Sequence, residues 1–407
     1  MSFQQGLSGL NAAARNLDVI GNNVSNASTV GFKQSQAQFA DVYANSLTGA
    51  GGGGIGIGTK VAQVAQQFTQ GNITATSNPL DIAINGGGFF RMDNNGEVTY
   101  QRNGQFQLDK NGFIVNPTGA TLTGYTANST GVLSTGAPSP LSINTADLVP
   151  RMTTEVNAVL NLDSGSAVPA TTPFDINDPT SFNSSTAVSV FDSLGNSQTL
   201  QTFYVKTATP GQWQVYAASD GTQIGAAPVA TLDFNSSGVL TTVMPLAAIN
   251  VPATAAGATT PFPVVLNYTG TTQFGSAFSV STLNQDGYTS GRLAGFNIGA
   301  DGTVLGRYTN GQSKVLGQVV LANFANPNGL QQLGNNMWAE TATSGTPLVG
   351  TPDSGSLGVL QSSAVEDSNV DLTAELVNMI TAQRVYQANA QTIKAQDAVM
   401  QTLVNLR

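Results

Sequence analysis

Two segments keep a helical rhythm of apolar positions over several turns, and they are the two ends of the 407-residue chain. In the first, Phe3, Leu10, Leu17 and Val24 fall seven apart, with Leu7, Ala14 and Gly21 at the intervening four-step. That spacing draws one apolar stripe along a helix, and it breaks where Gly21, Asn22 and Asn23 arrive. In the second, Leu372, Met379, Tyr386, Ile393 and Met400 repeat every seven, with Leu376, Gln383, Ala390, Asp397 and Val404 between them. No Gly or Pro occurs from Val370 to Arg407, and "SNVDLTAE" offers Ser368, Asn369 and Asp371 as caps. The two stripes predict a helical coiled-coil domain formed jointly by 1–24 and 368–407.

Between the ends the pattern changes to short apolar runs separated by turn residues, which predicts nested β-rich domains. Asn95-Gly96, Asn103-Gly104 and Asn111-Gly112 sit eight apart and read as a series of hairpins. "YTNGQSKVLGQVVLANF" repeats the style near residue 308. In the middle, "FDSLGNSQTLQTFYVKT", "GQWQVYAA" and "ATLDFNSSGVLT" read as strands, and the Pro-, Thr- and Ala-rich stretches at 164–173 and 251–263 as loops. "GAGGGGIGIG" (49–58) reads as a flexible low-complexity loop.

Charge then separates one part from the rest. Between Arg151 and Arg292 lie eight acids and a single base, Lys206, so this segment carries most of the net charge of −9. It reads as an acidic outer β domain, 146–285, inserted into an inner β domain of 73–145 with 286–367; 25–72 is a connector.

Composition excludes several kinds of chemistry. With no Cys and no His there is no disulfide, thiol, imidazole base or Cys/His metal site. Ser and Thr abound without an activating base. "DNNGEV" and "DKNGF" lack the later ligands of a calcium loop and read as hairpin turns. The Gly-rich stretch has no strand before it and no helix pattern after it, so it is not read as a nucleotide loop. No catalytic residue, metal or cofactor is expected. The fourteen bases are scattered and the balance is acidic, which argues against nucleic acid. No apolar run is long enough to span a membrane. The N-terminus lacks a basic region followed by an apolar core, so no Sec leader is expected and export would use another route. Charged residues make up only 9% of the chain, a composition common in extracellular assembly proteins.

The terminal seams carry the functional reading. Burying the apolar side chains of a lone C-terminal helix falls short of the entropy cost of ordering it. Pairing the two ends buries one face of each, and the remaining faces ("NAAARN", "QANAQT") are small and neutral, suited to further helices. The stripes therefore point to a multi-chain helical layer. Its assembly residues would be Phe3, Leu7, Leu10, Ala14, Leu17 and Val24 at one end. At the other they would be Leu372, Leu376, Met379, Tyr386, Ala390, Ile393, Met400 and Val404.

The same ends carry a resemblance. "LDVIGNNVSNASTVGFK", with Asn22, Asn23, Asn26, Thr29, Gly31, Phe32 and Lys33, resembles the N-terminal signature of the flagellar rod, hook and hook-associated protein family. "SNVDLTAELVNMITAQRVYQANAQTIKAQDAVMQTLVNLR" is similar to its C-terminal signature. The large insertion, "NPLDIAINGGGFF" and "GQVVLANFANPNGLQQLGNNMWAET" resemble the hook members of that family. The resemblance covers roughly 1–145 and 286–407 and is weaker over the insertion; the Gly-rich loop is the main departure. It implies a non-enzymatic subunit that leaves the cell through the flagellar secretion channel without a cleaved leader. The subunit would polymerise into a curved, flexible tube joining rod to filament as a universal joint. Its implied neighbours are further copies, the distal rod, the hook cap, the hook-length ruler and the hook–filament junction proteins. In family terms, Asn22 to Lys33 turns the chain from inner helix to connector, with Phe32 anchoring the exit. Two other readings compete: a distal rod or hook–filament junction protein, and a secreted β-rich adhesin or hydrolase whose helices pack internally.

Overall fold

The computed structural model describes residues 2–42 and 56–405. The chain is mostly β-rich and multidomain, with one long helix near each end. It divides into two compact units, 1–145 with 295–307 and 313–407, and 146–294 with 308–312.

The first unit opens with α1 (Ser2–Ser25). A short turn leads into β1 (Ser35–Val42), which pairs antiparallel with β2 (Gly58–Gln66) from Ser35↔Gln66 to Val42↔Gly58. The sequence pattern gave no sign of this ribbon: of its residues only Ala65 is buried, so no strong apolar alternation marks it. The expected Gly-rich loop falls, from 49 to 55, outside the described residues.

Hairpins follow. Phe89–Asn94 pairs with Glu97–Gln101 around Asn95 (φ 55°) and Gly96 (φ 93°), both in the left-handed region that a tight Asn-Gly turn requires. Asn111-Gly112 lies in the loop joining Gln107–Leu108 to Ile114–Val115. Asn103-Gly104 is different, and here the expected hairpin series fails. Glu97–Gln101 does not pair with Gln107–Leu108; instead the Gly104 carbonyl accepts from Ile82 N at 2.8 Å. The glycine is needed because a Cβ there would run into the Ile82 backbone.

The chain then returns on itself. Val359–Ser362 pairs with Ile82–Asn85, and Ala364–Glu366 pairs with Ile73–Ala75, so the last strand before the second helix lies against the first strand after the ribbon. Helix α2 (Leu372–Asn405) begins six residues later. Of the three candidate caps, Asp371 serves: its Oδ1 accepts from Thr373 N at 2.9 Å and Ala374 N at 3.1 Å.

In this unit Phe89, Tyr100, Phe324 and Trp338 form an aromatic core, and Phe68 enters it edge-on, 5.4 Å from Phe89 and 5.7 Å from Trp338. Trp338 Nε1 donates to Gln66 Oε1 at 2.7 Å. The root of the ribbon is thereby fixed to the β body.

The second unit packs two sheets around one core. Strand Glu155–Asn161 lies between Phe262–Asn267 (parallel) and Ser279–Gln285 (antiparallel). Opposite it, Ser184–Phe191, Ser197–Lys206 and Gln212–Ser219 form consecutive antiparallel pairs. Alternating residues such as Trp213, Val215 and Ala217 meet Leu160, Val251 and Phe262 inside. Asp286 closes this unit, accepting from Thr154 N, Glu155 N and Thr154 Oγ1 while pairing with Arg151 at 2.9 Å. The expected loop at 164–173 carries no strand; the one expected at 251–263 is shorter, since Val251 and 262–263 belong to strands and the chain from 252 to 261 links Ile249–Val251 to Phe262–Asn267.

Candidate functional site

The two helices pack against each other antiparallel: a Cβ built on Gly6 would lie 3.1 Å from Ile393 Cγ1, and one on Gly9 2.8 Å from Asn389 Oδ1. Several of the residues buried on these helices are small. Gly6, Ala12 and Ala13 are buried on α1, and Ala382 on α2. The missing side chains let the two backbones approach closely.

This reverses part of the expectation. The apolar seams were expected to close the helix pair, leaving small neutral faces outside. Small residues close much of it instead, together with Ile393 from the seam, and much of the apolar surface stays outside. Phe3 is 51% exposed, Leu7 44%, Leu372 and Leu376 46% each, and Met400 60%; Tyr386 is exposed as well. Leu10, Ala14, Leu17, Val24, Met379, Ala390 and Ile393 are half-buried. Val404 lies beyond the described side chains. Val377 and Ile380, which the seven-residue count passes over, add to the exposed apolar face of α2, and Val385 is exposed where it lines the groove beside α1. The spacing of Gly6, Gly9 and Ala13 was the signal that would have identified the pairing face.

The turn after α1 brings the signature residues together. Asn23 is buried, and its side chain donates to Ser35 O at 2.8 Å and accepts from Ser35 N at 2.9 Å, holding the first residue of β1 against the helix end. Asn26 Nδ2 reaches back to the exposed Asn22's carbonyl, and Asn26 Oδ1 accepts from Thr29 Oγ1. Gly31 takes φ 71° and donates its N–H to Glu366 O at 2.8 Å; a Cβ there would stand 2.5 Å from Asn103 N. Phe32 is buried beside it.

Lys33 then enters a buried charge knot. Its Nζ donates to Glu366 Oε1 at 2.7 Å and to Thr69 O at 2.7 Å. Arg102 Nε donates to Glu366 Oε2 at 2.9 Å, and its other nitrogens donate to Gly88 O and Gly86 O. Gly71 N completes the set on Glu366 Oε1. One anion thus serves two cations, and backbone carbonyls of Thr69, Gly86 and Gly88 take further donors. Burial lowers the Lys33 ammonium's pKa, as does Arg102, against the pull of Glu366. Burial alone would raise the Glu366 carboxyl, but Arg102 and Lys33 hold it below the usual range.

Asn369 ties the same junction from the C-terminal side. Its Oδ1 accepts from Gln34 N at 2.7 Å and its Nδ2 donates to Gln67 O at 2.7 Å, gripping both strands at the root of the ribbon. Sequence reasoning placed Lys33 in the turn and offered Asn369 only as a helix cap, and it missed Arg102 and Glu366, because these residues converge from three distant parts of the chain.

The site is therefore a paired-helix element with an exposed apolar face, clamped to the β body by buried ions. Among the described residues no group of three acids is placed to hold a metal, and no helix is long and apolar enough to cross a membrane.

Comparisons with known proteins bear on this element and the rest. Residues 3–33 match the Flagella basal body rod protein family and 361–406 the Flagellar basal body rod FlgEFG protein C-terminal family. Residues 83–158 match the Flagellar hook protein FlgE/F/G D1 domain, and 161–288 the Flagellar basal body protein FlaE D2 domain. The chain is 45% identical over 414 residues to the flagellar hook protein FlgE of Salmonella typhimurium, and 46% over 413 residues to that of Escherichia coli K12, covering all of each chain. It is 33% identical to that of Rhizobium meliloti, with 98% of the relative covered. The crystal structure of Helicobacter pylori flagellar hook protein FlgE2 shares the fold at TM-score 0.56 and 13% identity, over 72% of this chain and 100% of that one. Both ends, the body and the insertion thus agree along the full length, and the chain belongs to the flagellar hook protein family.

Proposed function

We propose that the chain is the structural subunit of a bacterial flagellar hook, polymerising through its paired ends into a curved, flexible tube that passes torque from rod to filament. The observation that carries this reading is the exposed apolar face of α2 that includes Leu372, Leu376, Val377 and Ile380. Apolar surface of that extent on one helix calls for a covering partner, and in a homopolymer the partner at hand is another copy.

In this reading 1–24 and 368–407 form an inner tube, coiled against the same helices of neighbouring copies. The segment 25–72 is a connector, 73–145 with 286–367 an inner β domain, and 146–285 the outer domain. The knot of Lys33, Arg102 and Glu366 makes the junction firm, while the acidic outer domain, poor in bases to pair its carboxylates, suits weak contacts that exchange as the tube bends. The subunit leaves the cell through the flagellar secretion apparatus. At the ends of the tube it meets the distal rod, the hook cap and the hook–filament junction proteins, and during growth the hook-length ruler.

Electron microscopy of the purified chain under polymerising conditions tests this. Curved tubes are expected. A monodisperse monomer at every concentration would contradict the proposal.

A further inference from the structure

A cavity of about 770 Å3 opens between α1, α2 and the ribbon, lined among others by Ala13, Ile20, Gln34, Glu375, Ala382 and Val385. Among the described residues Glu375 is the one charged side chain on its walls, and it is only 3% exposed. Its Oε1 accepts from Gln34 Nε2 at 2.6 Å, but its Oε2, equally buried, has no donor. A buried carboxylate oxygen left without a donor is costly, and most such atoms in folded proteins are partnered. The cavity therefore asks for a donor, preferably cationic, carried on a stem that tolerates Ala and Val walls.

The exposed face of α2 carries such a group. Arg384 is exposed, makes no ion pair among the described residues, and follows Ile380 by one turn and Val377 by two. It thus stands on the same apolar face that needs covering. Arginine joins an apolar stem to a planar fork of donors that matches a carboxylate. Arg15, the exposed cation of α1, already faces Asp18 at 3.7 Å.

We propose that the groove is a docking site for α2 of a second copy, whose Arg384 donates to Glu375 Oε2 while Val377 and Ile380 cover apolar surface at the rim. This rests on the self-assembly reading and adds to it a specific contact, one that fixes how neighbouring helices register.

The test is a charge exchange read as sedimentable polymer from the purified full-length chain. Glu375→Arg and Arg384→Glu each lower polymer by about tenfold or more, and the double variant recovers most of it, since the pair is re-formed with its signs exchanged. A second measurement covers the case in which Glu375→Arg fails to fold. The chain has no cysteine, so an Asn378→Cys copy mixed with an Ala388→Cys copy reports one contact: Asn378 lines the groove and Ala388 lies one turn beyond Arg384. A mixed disulfide forming in the polymer supports the docking, and it decides alone if the single variant unfolds. If wild-type protein makes tubes but there is neither recovery nor mixed disulfide, or if Glu375→Gln assembles like wild type, the docking is overturned and the self-assembly reading stands. Absence of wild-type polymer would instead overturn that reading.

Discussion

Lys33 and Glu366 are 333 positions apart in the chain, yet Lys33 Nζ lies 2.7 Å from Glu366 Oε1 with both side chains buried. The pair joins the turn that leaves α1 to the strand that precedes α2, and Arg102 adds the β body to the same carboxylate. Both helical ends are thereby anchored at one point. Glu366→Gln would leave two buried cations without an anion, so it should destabilise the first unit by about 3–5 kcal/mol. Urea unfolding, followed by a probe in that unit such as Trp338, measures this; a loss under about 1 kcal/mol, the range of an exposed pair, would contradict it.

The same carboxylate sets a pH dependence. Its folded-state pKa is depressed against burial by Arg102 and Lys33. A depressed carboxylate contributes stability in full above its unfolded value, roughly 4.3. That contribution is lost as pH falls through the folded value. Wild-type protein should therefore lose more stability between about pH 5 and pH 2 than Glu366→Gln does. Parallel acid curves for the two proteins would show that the knot is not the titrating element.

The exposed seam gives a sharper variant than the paired face. Leu376 is 46% exposed in the lone chain, so Leu376→Asp should leave monomer stability within about 0.5 kcal/mol of wild type. In a polymer that covers this position the aspartate would be buried unpaired, and the concentration needed for assembly should rise by at least about tenfold. Sedimentation across a concentration series, beside thermal unfolding of the monomer, reads both. Ile393→Asp is a poorer probe, because Ile393 also packs against Gly6.

These residues show what was legible in the sequence. The helices were readable because a seven-residue rhythm is local, and Asp371 was among the caps it suggested. Which face closes the pair was not read from the apolar rhythm, because the close approach is set by the small residues Gly6 and Gly9 meeting Ile393 and Asn389 from the other end of the chain. Asn95-Gly96 was a legible hairpin, whereas identical letters at Asn103-Gly104 serve a close pass beneath Ile82. The ribbon β1–β2 was invisible for a different reason: it buries almost none of its side chains, so no apolar alternation marks it.

The turn at Gly31 should be intolerant of any side chain. At φ 71° an alanine costs about 1–2 kcal/mol in backbone alone, and its Cβ would also meet Asn103 N at 2.5 Å. Gly96 has φ 93° but open space around its Cβ position. Gly31→Ala should therefore lower the melting temperature of the first unit more than Gly96→Ala. Equal shifts would mean that the junction yields.

Removal of the second unit separates assembly from bending. A chain in which 146–294 is replaced by a Gly/Ser linker keeps both helices, the ribbon and the knot. It should still polymerise, into tubes of altered curvature visible by electron microscopy. Failure to polymerise would show that the inserted unit is part of the assembly machinery.

Hydrogen exchange along α2, compared between dilute monomer and assembled protein, is the most direct measurement. If apolar surface at the chain ends is sheltered by other copies, amides from about 385 to 405 exchange quickly in the monomer and become strongly protected in the polymer, because a helix with an uncovered apolar face is only marginally stable. Equal protection of that stretch in both states would contradict the account.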